Sequence, residues 1–344
     1  MNFTEALSLY KNAPLVELMA EAHALRMSKP TIAAPIVTWQ IDRNINTTNV
    51  CVGGCKFCAF HCRLVERTKG YVTTIEEYRT KIAETISLGG DQILLQGGMN
   101  PELKLDYYEN LFATLRAEFP SVKLHALGPA EVQFLARGAQ LTVSQTLTRL
   151  MAAGMNSLPG AGAEILDNEW RKKFSPGKCS ATQWIEVMRT AHQMGLLSSA
   201  TMMYGYHDTA ELRVKHLVAI HDLQAQTGGF RAFIAWPYRG ADSVSTMSDY
   251  LRIVALARIV LDNVPNIQAS WLTVGTSAAQ MALHGGANDM GSIMIEENVV
   301  RSAGSTNTID ASQIQRVIRE AGFEAALRDQ AYNLIHSTSR TALQ

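Results

Sequence analysis

Short apolar segments alternate with longer helical patterns from about residue 37 to the end of the 344-residue chain. The run 37–45 is typical of a buried strand. After it, Ile75, Tyr78 and Ile82 recur at helical spacing until Gly89 ends the pattern. Further strands are predicted at 91–96, 122–127, 156–158, 196–203, 230–235, 267–272 and 289–293. Because roughly eight strand–helix units follow one another, the alternation predicts an α/β fold, a TIM-type (β/α)8 barrel.

A single domain is predicted to take up the whole chain, 1–344. Residues 1–35 are typical of a helical extension packed outside the barrel, 36–300 of the barrel core, and 301–344 of C-terminal helices. Apolar residues make up 47% of the chain, which is enough for one large core. No low-complexity segment or block of like charges marks a linker to a second domain.

The charge balance and the cysteines limit the possible partners and compartment. Lys+Arg and Asp+Glu number 31 each, which gives no electrostatic reason to expect nucleic acid or an anionic membrane surface. No apolar run is long enough to span a bilayer, and the first 26 residues carry acids, unlike a signal peptide. Four of the five cysteines lie between residues 51 and 62, unlike a secreted disulfide framework. We therefore expect a reducing, cytoplasmic location.

The pattern Cys-x-x-x-Cys-x-x-Cys places Cys51, Cys55 and Cys58 on one short loop after the first predicted strand. A closed structural zinc site takes four ligands, often as two separated pairs. Three thiolates can instead hold three irons of a 4Fe–4S cluster and leave the fourth iron open to a small molecule. Zinc, or simply reduced thiols, remains the alternative. The spacing favours the cluster.

The two other cysteines are expected to stay outside this site. Cys62 lies four residues beyond Cys58 and could be taken for a fourth ligand, but filling the last iron would close the cluster to a small molecule. We therefore interpret Cys62 as a bystander. Cys179 is isolated in the sequence and is expected to be a buried structural thiol.

Several polar or glycine-rich runs follow predicted strands, so they are expected to meet at the carboxyl-end face of the barrel. They include the cysteine loop, Gln96-Gly97-Gly98, the segment beginning at His125, residues 159–164 and residues 204–206. His125, His207 and Glu297 are candidates for proton transfer, although each residue type is also common in structural roles. Glu164 could accept hydrogen bonds from ribose hydroxyls or simply begin a helix.

The cysteine spacing, with Phe57 just before the last cysteine, resembles the signature of the radical S-adenosylmethionine (SAM) superfamily. The resemblance implies that the open iron binds SAM and that an electron from the cluster cleaves SAM to a 5′-deoxyadenosyl radical. Gln96-Gly97-Gly98 occupies the place of the superfamily's Gly-Gly-Glu-like motif, where backbone approaches the SAM ammonium group. Phe57 is then a candidate for adenine contact, with packing on the barrel rim as the alternative.

Much of the chain also resembles the radical SAM enzymes of the menaquinone futalosine pathway. The similar segments are 44–46, 95–98, 124–127, 157–160, 184–192, 200–205, 227–230, 286–292 and 296–299. Three related activities share this pattern: a cyclase acting on dehypoxanthine futalosine, aminofutalosine synthase, and the radical SAM half of the deazaflavin synthase. Trp236-Pro237-Tyr238 is similar to the cyclase.

The resemblance implies that the radical removes a hydrogen from the ribose C4′ of dehypoxanthine futalosine and that the sugar radical closes a ring on the benzoate. Arg239 and Asn44 are candidates for the substrate carboxylate. A flavodoxin- or ferredoxin-type electron donor is expected. Departures from the pattern at Tyr206-His207, at Tyr238-Arg239-Gly240 and at Cys62 concern the substrate pocket and not the cluster. A non-catalytic iron–sulfur protein is the alternative outside this class.

Overall fold

The computed structural model describes residues 1–29, 35–240 and 243–335. The end of the predicted extension, 30–34, and the end of the predicted C-terminal helices, 336–344, lie outside the described residues.

Strands and helices alternate along the described chain, as the sequence pattern predicts. The strands are β1 (Ile36–Gln40), β2 (Asp42–Asn46), β3 (Gln92–Gln96), β4 (Lys123–Ala126), β5 (Met155–Leu158), β6 (Leu197–Tyr204), β7 (Phe230–Pro237), β8 (Asn266–Gln268), β9 (Asp289–Ser292) and β10 (Glu324–Leu327). The helices are α1 (Phe3–Asn12), α2 (Leu15–Ser28), α3 (Ile75–Ser87), α4 (Leu105–Glu118), α5 (Pro129–Ala139), α6 (Val143–Ala153), α7 (Asn168–Phe174), α8 (Ala181–Gln193), α9 (Ala210–Thr227), α10 (Met247–Val260), α11 (Trp271–Val274), α12 (Thr276–Leu283), α13 (Val299–Ser302) and α14 (Ala311–Glu320). A short 3-10 helix spans Leu64–Lys69.

The described strands form one parallel sheet in the order β10-β1-β9-β8-β7-β6-β5-β4-β3-β2. The segment after β9 continues alongside β1 and β2, because Ile293 N donates to Gln40 O and Ile295 N donates to Asp42 O, both at 3.1 Å. On its other side β2 pairs with β3. The first two strands therefore join the two ends of the sheet and close it into a barrel, which confirms the predicted TIM-type fold.

Helix caps and buried apolar faces explain why the helices lie where they do. Thr74 and Ser180 begin α3 and α8 with capping boxes, in which a side-chain oxygen accepts a hydrogen bond from the helix backbone. The buried Tyr78 and Ile82 of α3 belong to the main apolar core together with Ile45 of β2. The helices thus cover the outside of the barrel and leave its interior to the site.

The N-terminal helices α1 and α2 lie outside the barrel. α2 packs on α10 and α1 packs on α9. A separate apolar cluster of Leu18, Ala22, Ala255 and Ile259 holds α2 to α10.

The C-terminal segment differs from the prediction of helices over 301–344. It contains α14, but it also contains β10, which pairs in parallel with β1 from Ile36↔Glu324 to Trp39↔Leu327. The edge of β1 supplies hydrogen-bond partners that a helix could not use, so this short segment is extended. After β10 the chain turns inward, and Arg328 is buried inside the barrel.

In the part of the chain that the structure describes, no helix combines the length and apolar character needed to cross a membrane.

Candidate active site

A cavity of about 430 Å³ runs along the inside of the barrel, from the carboxyl ends of the strands toward the segment after β10. Its upper end is lined by the cysteine loop and the glycines after β3, and its lower end by Gln92, Arg328 and Gln330. This volume lies within the range of small-molecule sites in proteins.

Cys51, Cys55 and Cys58 all line the upper end of the cavity. The Cys51 Sγ accepts hydrogen bonds from Gly53 N at 3.2 Å and from Met99 N at 3.3 Å, which orients it and would stabilise a thiolate. Burial raises the pKa of Cys55 to about 11 and also raises the pKa of Cys58. A metal bound here therefore has to displace protons from these thiols.

The donor set fits a three-cysteine cluster better than a single metal ion. Among the described residues, no three His, Cys, Asp or Glu side chains converge closely enough to hold one ion. In a 4Fe–4S cluster each cysteine binds a different iron, so the three sulfurs need not converge. A closed zinc site would require four converging ligands. The observed loop fits the cluster.

Cys62 supports the loop through its backbone and directs its thiol elsewhere. Its N–H donates to Asn49 O at 2.7 Å, and its carbonyl accepts from Cys51 N at 3.0 Å. The thiol donates to Glu66 O at 3.2 Å, and Cys62 does not line the cavity. This geometry favours the bystander interpretation. Cys179 is buried beside Arg171 and likewise lies off the cavity.

The glycine pair after β3 is in close contact with the cysteine loop. A Cβ on Gly98 would lie 2.1 Å from Val50 O, and a Cβ on Gly97 would lie 2.9 Å from Thr48 O. Gly98 N donates to Thr48 O at 2.7 Å. Only glycine fits here, because any side chain would push the cysteine loop away. The glycine pair therefore also packs closely against the cysteine loop, in addition to its predicted approach to SAM. Gln96 lines the cavity next to the pair.

Glu131 is a site residue that the sequence analysis missed. One of its carboxylate oxygens accepts from Gly97 N at 3.0 Å and the other from Gly128 N at 2.8 Å. Burial raises the pKa of Glu131 to about 7. This carboxylate, on the cavity wall, joins the turns after β3 and β4. The available signal was an acid in the first turn of α5, directly after a predicted strand.

Glu164 already has a cationic partner inside the cavity. Lys178 Nζ donates to Glu164 Oε1 at 2.7 Å, and the same ammonium group lies 5.6 Å from the centre of the Phe57 ring. Burial alone would lower the pKa of Lys178, but Cys55 and Glu164 raise it above its usual value. Lys178 was not predicted from the sequence. Phe57 also stacks on Trp170, with ring centres 5.8 Å apart.

The three candidates for proton transfer are not brought together. His207 is exposed and stacks on Phe174, with ring centres 5.0 Å apart, so it lies outside the cavity. Glu297 lines the cavity, but its carboxylate accepts the backbone N–H groups of Val299, Val300 and Arg301 and caps α13.

His125 is buried on the cavity wall, where its Nδ1 lies 2.7 Å from Ser157 Oγ and 3.2 Å from Gln330 Nε2. Burial lowers the pKa of His125 to about 3, with a smaller contribution from Arg328 in the same direction. The imidazole is therefore neutral at physiological pH.

An ion-paired arginine lines the lower part of the cavity, and amide side chains line the part above it. Arg328 forms a buried double contact with Asp289, Nε to Oδ2 at 2.6 Å and Nη2 to Oδ1 at 3.1 Å. Above this pair, both amide atoms of Asn44 and Oε1 of Gln92 are buried and have no hydrogen-bond partner among the described residues. Buried polar atoms without partners are uncommon, and on a cavity wall they suit a ligand. Arg239, the other carboxylate candidate, is exposed at the rim of the cavity.

Comparison with known proteins gives two matching families. The radical SAM superfamily matches residues 45–218, and the CofH/MqnC C-terminal region matches residues 227–341. The cyclic dehypoxanthine futalosine synthase of Streptomyces coelicolor is 44% identical over 95% of this chain and 84% of that protein. The 5-amino-6-(D-ribitylamino)uracil–L-tyrosine 4-hydroxyphenyl transferase of Archaeoglobus fulgidus is 37% identical over 87% of this chain and 89% of that protein.

Among solved structures, the crystal structure of methylornithine synthase aligns with a TM-score of 0.70 at 19% identity, covering 94% of this chain and 93% of that one. This likeness supports the barrel fold alone.

Proposed function

The chain belongs to the radical SAM superfamily, and from this membership we propose that it converts dehypoxanthine futalosine to its cyclic product in menaquinone biosynthesis. One observation carries the proposal. Cys51, Cys55, Cys58, the glycine pair and Trp236 line a single cavity, in a chain 44% identical to a cyclic dehypoxanthine futalosine synthase.

The cofactors determine the type of reaction, and the residues of the barrel bind the cofactors and orient the substrate. When bound, the 4Fe–4S cluster and SAM supply a 5′-deoxyadenosyl radical. Cys51, Cys55 and Cys58 would hold the cluster, and the backbone at Gln96-Gly97-Gly98 would receive the amino-acid part of SAM. Phe57 and the Glu164–Lys178 pair lie on the same wall, where they can contact the nucleoside part.

The middle of the cavity is suited to the substrate. Trp236 lies on the wall formed by β7 and offers an aromatic face to the benzoate ring. The free amide of Asn44 can donate to and accept from substrate oxygens. Orienting the sugar and the aromatic ring within contact distance favours ring closure over other fates of the substrate radical.

After ring closure the aromatic ring is restored by loss of one electron and one proton. The electron would return to the oxidised cluster, and the proton requires a separate acceptor. Of the three candidates from the sequence, His125 is the best placed, because its neutral imidazole is buried on the cavity wall; burial also lowers its pKa to about 3, which makes it a weak base. Glu297 is a weaker candidate because three backbone N–H groups already occupy its carboxylate. His207 is a weaker candidate still, because it lies outside the cavity.

The reaction also needs an outside source of electrons. An electron carrier of the flavodoxin or ferredoxin type would reduce the cluster. A cytoplasmic location suits both such a carrier and the reduced state of the three cysteines.

The test is to incubate the anaerobically reconstituted, reduced protein with SAM and dehypoxanthine futalosine and to identify the products by mass. We expect a cyclised product with stoichiometric 5′-deoxyadenosine. A product that contains the adenosyl group, formed from a chorismate-derived enol ether, would make the protein an aminofutalosine synthase. A coupled product from tyrosine and 5-amino-6-(D-ribitylamino)uracil would place it with the transferases. Absence of SAM cleavage under every condition would point to a non-catalytic iron–sulfur protein.

A further inference from the structure

Basic side chains surround the ring of Phe174, on the outer side of the cysteine loop. Lys56 Nζ lies 5.8 Å and Lys173 Nζ 5.1 Å from the centre of this ring. The imidazole of His207 stacks on the ring at 5.0 Å, with an angle of 3° between the planes. Lys56, Lys173 and His207 are all exposed. We call Phe174 with these three side chains the Phe174 patch.

The patch is hydrogen-bonded to the loop that carries the cluster ligands. Lys56 directly follows Cys55, and Lys56 N donates to Phe174 O at 2.9 Å. A few residues on, Gly177 N donates to Gly53 O at 2.9 Å, and a Cβ on Gly177 would lie only 2.5 Å from Val52 O. The patch and the cysteine loop therefore form one closely packed unit, so a protein bound on the patch would lie next to the loop.

Beside the patch lies a small apolar surface. Val52 is 38% exposed, and Gly54 and Pro176 are also exposed. The Cβ position of Gly54 is 3.8 Å from Pro176 Cγ, so the two segments are in contact. Transient electron-transfer interfaces are small, and complementary charges around them steer the partner, so this surface and the neighbouring lysines are suited to such a contact.

The charges of the patch are available to a partner. Within the described ranges, neither Lys56 nor Lys173 forms an ion pair, and the neighbouring Lys172 is exposed as well. The single acid of α7, Glu169, is exposed in its first turn, whereas the lysines lie in its last turn. Because the whole chain carries no net charge, any attraction for an acidic protein has to come from a local surface of this kind.

We propose that the Phe174 patch and the adjoining Val52, Gly54 and Pro176 dock a small, acidic, one-electron carrier protein of the flavodoxin kind. The inference rests on the proposed function, since it assumes a cluster on the cysteine loop. In the step, one electron leaves the reduced carrier and enters the cluster, and no bond forms or breaks. Acidic side chains of the carrier face Lys56 and Lys173, while its apolar redox edge covers the surface next to Cys55.

The first measurement is binding, which does not depend on turnover. Oxidised flavodoxin is titrated onto the cluster-loaded protein at low and high salt. We expect the double variant Lys56→Glu/Lys173→Glu to weaken binding about tenfold or more at low salt. High salt should reduce the difference between variant and wild type. The matched control is Lys123→Glu, an exposed lysine at the amino end of β4 and so at the opposite end of the barrel from the cysteine loop, which should bind as the wild type does.

The second measurement separates docking from chemistry by changing the reductant. With reduced flavodoxin, the double variant should form product about tenfold more slowly than the wild type at low salt. With dithionite, a small reductant that needs no docking surface, the two proteins should be equal. Equal binding and equal rates with flavodoxin would overturn the docking proposal. No cyclised product from the wild type with dithionite would instead overturn the proposed function. If the double variant takes up less cluster, Lys56→Gln/Lys173→Gln serves in its place.

Discussion

The two ends of the barrel cavity are built differently. At the upper end, three thiols and the backbone of a glycine pair line the cavity. These groups are suited to bind an iron–sulfur cluster and SAM. At the lower end, Arg328, Asp289 and Gln330 contact one another or their neighbours and fill the barrel from below. The contrast indicates that the upper end is organised for ligands and the lower end for closure. Asn44 lies between them, and its amide has no hydrogen-bond partner in the part of the chain that the structure describes.

We expect the largest effect on activity from removing a cluster ligand at the upper end. Changing Cys51, Cys55 or Cys58 to Ala should abolish 5′-deoxyadenosine formation, because each thiolate holds a different iron. Cys62→Ala is the matched control and should retain the reaction, since its thiol contacts Glu66 O. Iron content and 5′-deoxyadenosine are measured after anaerobic reconstitution. Loss of the cluster in Cys62→Ala, with retention in Cys51→Ala, would reverse the assignment.

The second prediction tests whether the close contact between Gly98 and the backbone of Val50 holds the cysteine loop in position. Gly98→Ala would place a methyl group 2.1 Å from Val50 O and displace the cysteine loop. We expect the rate of SAM cleavage to fall by about 100-fold, as for a displacement of about 1 Å at a reacting centre. Gly138→Ala in α5 is the control, because no described atom outside its chain neighbours and its own helix backbone lies within 4 Å of the Cβ position. Similar rates for both variants would show that the loop tolerates this contact.

At the lower end we expect an effect on stability. Arg328→Met leaves the buried carboxylate of Asp289 without its cation, so the free energy of unfolding should fall by about 3–5 kcal/mol. Denaturant unfolding of the apoprotein measures this change. Arg79→Ala breaks an exposed pair with Glu118 and should have little effect. If Arg328→Met unfolded like the wild type, the lower end would not be needed for closure.

The smallest effect concerns Asn44, between the two ends. Asn44→Leu should weaken binding of dehypoxanthine futalosine by about 1–3 kcal/mol while leaving the stability of the apoprotein equal or higher, because a buried amide without partners is removed. Asn46→Leu is the contrast, since Asn46 donates to Gln96 O at 3.2 Å and its loss should destabilise the fold. Titration calorimetry and denaturant unfolding measure the two quantities. Unchanged affinity in Asn44→Leu would remove this residue from the substrate site.

Local pattern was sufficient for the barrel and for the cysteine loop. Alternating apolar runs and helical repeats depend on nearest neighbours in sequence, so strands such as β3 and β6 lie within a residue or so of their predicted bounds. β10 was missed because Glu324–Leu327 consists of residues that favour helices. Its extended form depends on the edge of β1, about 290 residues away, and no local window contains that information.

Site residues within a sequence motif could be predicted. Site residues that are brought to the cavity only by tertiary packing could not. The spacing of Cys51, Cys55 and Cys58 indicates their chemistry directly. Glu131 and Lys178 could not be ranked above other acids and lysines, because their partners Gly97 and Glu164 come together only in the folded barrel. His207 stays a prediction that the geometry does not favour: it follows a strand but turns outward onto Phe174, a contact that the sequence does not show.

The pairing of β10 with β1 has a consequence for how the protein is made. The hydrogen bond between Gln40 and Arg328 joins residues 288 positions apart, so the first strand emerges from the ribosome long before its partner. Until then one edge of the nascent sheet stays open, and such long-range pairing slows folding. Because the cysteine loop directly follows this first segment, we expect the cluster to be inserted after synthesis, when the last strand has fixed the loop in place.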